Sequence, residues 1–327
     1  MKAILVGNNK ELIWSEVPYP TLADDECIVK IEAAALNRAD LLQRAGDYPP
    51  PPGCPEWMGL EISGEIVELS RGASVNSKWK KGDKVCALLG GGGYAEYVSV
   101  RYDMLMPIPK GASMIEAAAM PEAFATSYLN LFIEGDAKSG DTLLMHAGSS
   151  GLASVLIPMA KAFGLRVITT VRGEAKAKAI SNLGADIIVD SKRENIKDVL
   201  ASELAEGRGV DIAIDCLGGE MMGECLPYLN RGARWIMIAA LAGTKTEIDL
   251  KNIYVRNVRI IGSTLRSRPV DTKAKILASL VKEVWPLVES GKVRPIIHKV
   301  LPITNAEEAH AILENGENVG KVVLTVG

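Results

Sequence analysis

Histidine is scarce in this chain: only His146, His298 and His310 occur, far apart, so an imidazole-based metal cluster is not expected. Cysteine offers no alternative. Cys27, Cys54, Cys86, Cys216 and Cys225 are odd in number and widely spaced, with no CxxC pair. They suit neither a disulfide framework nor a zinc knuckle, and reduced thiols are expected. Positive charge is not in excess either: 37 Lys and Arg face 40 Asp and Glu, and the basic residues are scattered. A surface for a nucleic-acid backbone is therefore not expected, and neither is nucleic acid as a main partner. The longest charge-free run, Thr142 to Ala160, is broken by His146, by glycines and by Pro158, so no membrane span is expected. The opening Met1-Lys2-Ala3-Ile4 carries no secretory pattern, which makes the cytoplasm the expected location.

What remains is a globular composition, 48% hydrophobic and 24% charged, over 327 residues. That length exceeds one ordinary hydrophobic core and predicts two domains. Residues 1–120 read as mostly β, with short apolar runs at Cys27–Ala33, Glu61–Leu69, Lys84–Leu89 and Tyr97–Val100 between Gly, Pro and Asp clusters. Residues 121–265 alternate strands with helix-length segments. The strands Thr142–Ala147, Arg166–Val171, Asp186–Asp190, Val210–Asp215, Arg234–Ala240 and Val258–Gly262 are mostly continuous apolar runs. Strands covered by helices on both faces require that pattern, and six of them predict a doubly wound parallel sheet. Residues 266–327 carry a helix over 271–290, a second over 306–314 with a Thr304–Glu307 capping box, and a closing strand from Lys321. This tail is expected to return to the first region. Pro158 should kink or shorten the helix that contains it.

The sharpest motif is Leu143-Leu144-Met145-His146-Ala147-Gly148-Ser149-Ser150-Gly151-Leu152-Ala153, a strand, a small-residue turn and a helix start. Gly148 and Gly151 leave backbone N–H groups open to a diphosphate. An ordinary tight turn between strand and helix would look the same. The second strand ends at Val171-Arg172, where an NAD enzyme would carry an acidic residue for the ribose. Arg172, with Lys176 one turn later, suits the 2′-phosphate of NADPH instead. Gly90 to Gly93 reads as a flexible turn, since Tyr94-Ala95-Glu96-Tyr97 continues it as a strand rather than a helix.

Several stretches together carry a family resemblance: Ala34-Ala35-Leu36-Asn37-Arg38-Ala39-Asp40-Leu41, Tyr48-Pro49-Pro50-Pro51-Pro52-Gly53, Gly59-Leu60-Glu61, Gly64, His146-Ala147-Gly148, Leu265-Arg266-Ser267-Arg268 and Asn318-Val319-Gly320-Lys321. Nearly end to end, the chain resembles the zinc-free, zeta-crystallin-like quinone oxidoreductase branch of the medium-chain dehydrogenase/reductase superfamily. It is most similar to the tumour-suppressor-inducible quinone oxidoreductase type. The resemblance implies an α/β protein, with a GroES-like, mostly β catalytic domain and a Rossmann domain, NADPH lying in the cleft, and a homodimer.

The resemblance also implies residue roles. Asn37 is placed near the nicotinamide, Thr126 and Ser150 near phosphates or ribose, and Lys176 at the 2′-phosphate. Leu241, Ser263, Thr264, Leu265 and Lys321 frame the nicotinamide half. Ser191 stands where relatives often carry an adenosine-stacking Tyr. Zinc-dependent relatives have Cys where Asn37 or Arg38 stands and a His-Glu pair where this chain has Leu60-Glu61, so no zinc is expected. Tyr48 is the candidate beside the substrate, able to stack on a quinone and bond a carbonyl oxygen. The expected reaction is NADPH-dependent hydride transfer to a quinone or similar conjugated carbonyl. The alternatives are an NADPH-dependent enone, alkenal or enoyl-thioester reductase, and a nucleotide-binding crystallin-like or RNA-binding protein.

Overall fold

The computed structural model describes residues 1–327, which form two compact units. One comprises Met1–Ala125, Arg266–Gly291 and Pro295–Gly327; the other comprises Thr126–Leu265 with Lys292–Arg294.

The first unit is built on a seven-stranded sheet. Its order is Ile297–Pro302, Lys321–Thr325, Glu26–Ala35, Glu61–Leu69, Lys84–Leu88 and Leu105–Pro107, with Tyr97–Arg101 also paired to Glu26–Ala35. Every pairing is antiparallel except the first. In the middle of Glu26–Ala35 the chain alternates, with Val29, Ile31 and Ala33 buried and Lys30 and Glu32 exposed, as a half-covered strand should. Ala33, Ala35 and Val323 pack against Ala118 and Ala119, and small side chains on both sides permit that approach.

The second unit is a six-stranded parallel sheet in the order Ile187–Asp190, Arg166–Val171, Thr142–Met145, Val210–Asp215, Leu229–Met237 and Arg259–Gly262. Counted along the chain this is 3-2-1-4-5-6, the doubly wound dinucleotide-binding order. Leu144, Ile168, Val189, Ala213 and Trp235 form its core. Trp235 is fully buried, and its indole N–H donates to Asp215 Oδ2 at 3.2 Å, so the one polar atom of the ring is not orphaned.

Local structure departs from sequence expectation in several places, and the strand expected over Arg234–Ala240 runs over Leu229–Met237. The helix expected over 271–290 is two, Val270–Glu283 and Trp285–Glu289, because Pro286 has no N–H to continue the first. The Thr304–Glu307 capping box does not form; the Glu307 carboxylate is bonded to Arg44 Nη2 at 2.7 Å and to the Leu12 N–H at 2.6 Å. A charge-assisted pair with Arg44 outcompetes a local cap. Gly91 to Gly93 is not a loose turn but buried, with Gly92 N–H bonded to Trp57 O and Gly93 N–H to Gly59 O. Pro158 lies inside helix Ala153–Ala162, which ends four residues after it.

Candidate functional site

In a parallel sheet every strand delivers its C-terminal end to the same edge, and the second unit gathers its polar groups there. After Thr142–Met145 the chain turns through His146–Leu152 into helix Ala153–Ala162. Gly148 N–H donates to Thr170 O at 2.8 Å, which draws the turn against the second strand. A Cβ on Gly148 would collide with the Thr169 hydroxyl, so only glycine fits. Ala147 takes φ 57°, an αL conformation that costs a non-glycine residue about 1–2 kcal/mol. Ser150 Oγ accepts from Ala153 N–H at 3.1 Å, while the N–H groups of Gly151 and Leu152 have no acceptor within the turn. They open at the positive end of a ten-residue helix.

Beyond the second strand, Arg172 is exposed and holds no carboxylate, and Lys176 lies on helix Glu174–Ala179. Gly173 takes φ 101°, and its N–H donates to Asp190 Oδ1 at 2.7 Å. The same oxygen accepts from Lys192 N–H at 3.1 Å. Asp190 thus ties the turns after strands two and three, and brings the Lys192 ammonium to 3.9 Å from where a Gly173 Cβ would sit. Arg193 is already engaged by Glu174 at 2.6 Å. Ser191 returns its hydroxyl to Val171 O at 3.1 Å.

Of the remaining predicted positions in this unit, Leu241 and Ser263–Leu265 follow the fifth and sixth strands at the same edge. Leu241 is exposed after the fifth strand, its N–H bonded to Cys216 O at 3.1 Å. Ser263 follows the sixth strand and is buried, with its hydroxyl unpartnered; Thr264 is exposed and Leu265 buried. Thr126, on helix Pro121–Tyr128, is half-buried, and its carbonyl accepts from Asn130 Nδ2 at 2.8 Å. His146 is buried with Nδ1 3.1 Å from Thr170 Oγ1 and Nε2 unpartnered. Burial depresses its pKa against the opposing pull of Asp215, so the ring is neutral at pH 7.

The first unit holds a second cluster around Asn37. Lys321 opens the strand Lys321–Thr325 and donates to Leu36 O at 2.7 Å, Asn37 Oδ1 at 2.7 Å and Glu61 Oε1 at 2.6 Å. Asn37 Nδ2 donates to the same Glu61 oxygen at 2.9 Å, and Glu122 N–H to the other at 2.9 Å. All three ammonium hydrogens are consumed, and the side chains of Lys321 and Glu61 are only 3% and 0% exposed. The Asn37 amide is therefore locked: its oxygen faces a cation, and one N–H faces a carboxylate. Its second N–H is spare.

Asp40 lies beneath, accepting from Asn37 N–H at 2.7 Å and Gly59 N–H at 3.1 Å. Burial pushes its carboxyl up to about 6, although these donors and Lys321 pull the other way. The buried Tyr94 hydroxyl makes no well-formed hydrogen bond, but it lies close enough to Asp40 to influence it. Tyr48 is half-buried with the Arg266 guanidinium 4.8 Å from its ring centre. Burial raises its phenol pKa, Arg266 opposes this, and Glu122 reinforces it.

The structure thus assembles Asn37 with Lys321, and the turn residues Gly148, Ser150, Gly151 and Leu152 with one another. Glu61, Asp40, Lys192 and Arg266 are additions. A carboxylate between Leu60 and Ile62 in an apolar strand was the available signal for Glu61, and Ser191-Lys192-Arg193 that for Lys192. No group of three or more His, Cys, Asp or Glu residues is placed to hold a metal ion. No helix is long and apolar enough to cross a membrane.

Residues 23–110 match the family described as alcohol dehydrogenase GroES-like domain, and residues 151–283 the one described as zinc-binding dehydrogenase. A quinone oxidoreductase-like protein 2 homolog of Nematostella vectensis is 31% identical over 93% of this chain and 82% of its own length. The chain belongs to the medium-chain dehydrogenase/reductase superfamily. Among solved structures, the quinone oxidoreductase of Thermus thermophilus, determined also with NADPH, is 27% identical with TM-score 0.83, covering 99% of this chain and 100% of that one. An NAD-dependent alcohol dehydrogenase is 29% identical with TM-score 0.85, with complete coverage of both chains.

Membership makes this medium-chain reductase an oxidoreductase dependent on a nicotinamide dinucleotide. Its residues fit that group: a buried Ser263 hydroxyl without a hydrogen-bond partner, and the Gly151 and Leu152 N–H groups at a helix start, are polar contacts that no protein group takes up.

Proposed function

We propose that this medium-chain reductase uses NADPH to reduce a quinone or similar conjugated carbonyl without zinc. The observation that supports the reading is the basic character of the turns after strands two and three: exposed Arg172 follows strand two, Lys176 lies on the helix after it, and Lys192 Nζ lies 3.9 Å from where a Gly173 Cβ would sit, whereas an NADH enzyme would present an acid to the ribose there. Gly148, Ser150, Gly151 and Leu152 receive the diphosphate. Thr126, Ser191, Leu241, Ser263, Thr264 and Leu265 line the remaining cofactor contacts. When bound, the dinucleotide supplies the hydride. The spare N–H of Asn37, fixed by Lys321 and Glu61, donates to a carbonyl oxygen. A neutral, preset donor there takes the role that a Lewis acid fills in zinc-dependent relatives. Tyr48 stacks on the acceptor, and its raised pKa keeps the hydroxyl protonated and able to donate at neutral pH.

The same reading makes the protein a cytoplasmic homodimer. Strand Arg259–Gly262 pairs only on its inner side, and Ile260, Leu250, Tyr254 and Val255 are exposed along or near that open edge. A second copy would cover it.

Steady-state rates with NADPH and NADH on a naphthoquinone, an alkenal and a crotonyl thioester test the proposal. The quinone with NADPH should give the highest kcat/KM. Preference for the thioester would replace the acceptor assignment, and preference for NADH would overturn the cofactor assignment.

A further inference from the structure

Two cations are buried in the first unit without a carboxylate bonded to either. Arg266 and Lys273 are each 6% exposed. Arg266 Nε donates to Gly90 O at 2.8 Å, Nη1 to Tyr48 O at 3.2 Å and Nη2 to Gln43 Oε1 at 2.7 Å. Lys273 Nζ donates to Arg266 O at 3.3 Å. Every one of these acceptors is neutral. Burying charge without a bonded counter-charge is costly, and Lys273 shows it: burial lowers its pKa, while Cys54 and the Glu122 carboxylate oppose this. A purely structural site would be served as well by apolar side chains, so the charges call for another explanation.

The contacts supply one. The planar fork of Arg266 joins helix Arg38–Ala45, the Tyr48 loop and the Gly90 turn, and its face lies against the Tyr48 ring. We propose that Arg266, backed by Lys273, is the positioning residue of the acceptor side, fixing Tyr48 and setting a guanidinium charge against its ring. The site is thereby matched to acceptors that become anionic at oxygen on reduction. This rests on the reading of Tyr48 as an acceptor-side residue. Hydride addition brings one hydrogen and two electrons to the quinone and leaves one oxygen negative. That oxygen then takes a proton from water to complete the hydroquinone, and the donor dinucleotide leaves oxidised. Fixed positive charge beside the oxygen stabilises the anionic stage without reorganisation.

The test uses the full-length protein with ring-labelled tyrosine. Tyr48 is assigned by its loss in Tyr48→Phe, and its titration is followed by NMR alongside quinone reduction at saturating NADPH. Arg266→Met should raise the Tyr48 pKa further, because Arg266 is the cation opposing burial while Glu122 remains. It should also lower kcat/KM for the quinone by about tenfold or more, with NADPH affinity little changed. Arg266→Lys, which keeps charge but not the fork, should hold the Tyr48 pKa near wild type while losing kcat/KM; it also serves if the Met variant does not fold. An unchanged Tyr48 titration in Arg266→Met, or full quinone kcat/KM in both variants, overturns the inference. Wild-type protein that reduces no quinone but shows the Tyr48 shift refutes the acceptor reading while supporting the clamp.

Discussion

Lys321→Met isolates the ion pair that locks Asn37. In the wild type the ammonium is enclosed by Leu36 O, Asn37 Oδ1 and Glu61 Oε1, and neither charged group reaches water. Methionine keeps the length of the chain but strands the Glu61 carboxylate in a dry site. Breaking one side of a buried pair costs about 3–5 kcal/mol. Glu61 retains donors from Asn37 Nδ2 and Glu122 N–H, so the lower end, about 3 kcal/mol, is expected. That corresponds to a fall in Tm of roughly 6–12 °C for a unit of this size. In the double variant Glu61→Gln with Lys321→Met the stranded charge is gone, and about 1–3 kcal/mol should return. Calorimetric unfolding of wild type, both single variants and the double variant measures this as a thermodynamic cycle. A single-variant loss below about 1 kcal/mol, or strictly additive losses, would refute the locked-amide argument.

His310 is buried with both ring nitrogens unpartnered, and burial drives its pKa to about 3. The native state refuses a proton that the unfolded chain takes near pH 6.5, so this stability is present above pH 6.5 and is lost as pH falls towards 3, by about 2 kcal/mol at pH 5. Asp40, raised to about 6, acts in the opposite sense between about pH 4 and 6; denaturation of His310→Leu should show a flatter acid limb, and an unchanged slope would contradict the assignment. Gly148→Val drives a side chain into Thr169 and should abolish NADPH fluorescence enhancement; retained affinity would mean the turn is not the diphosphate site. Ile260→Lys, which places a charge on the open edge strand, should convert a dimer to a monomer in sedimentation velocity, and a dimer that persists would place the interface elsewhere.

The inner strands of the second unit were legible because parallel strands covered on both faces must be continuously apolar, a pattern that survives in a bare sequence; the largely exposed edge strand Arg259–Gly262 shows only as a short apolar run. The glycine turn was legible for a similar reason, since its backbone needs can be met by few residue types. Long-range pairs were not. Lys321 and Glu61 are 260 residues apart, and nothing local to either names its partner. Lys192 reaches the rim only because Asp190 binds two turns together, which depends on the register of strands two and three. Glu307 misled because a local cap and a distant arginine compete for one carboxylate, and only the fold sets the distance to Arg44.

Most depends on the glycine turn holding a diphosphate while its basic rim holds a 2′-phosphate. Fluorescence titration of wild type and of Arg172→Ala, Lys176→Ala and Lys192→Ala with NADPH and with NADH tests this most directly. Wild type should favour NADPH, and each lost charge-assisted contact should weaken NADPH by about tenfold while leaving NADH almost unaffected. Equal losses for both dinucleotides, or a wild type indifferent to the extra phosphate, would contradict it.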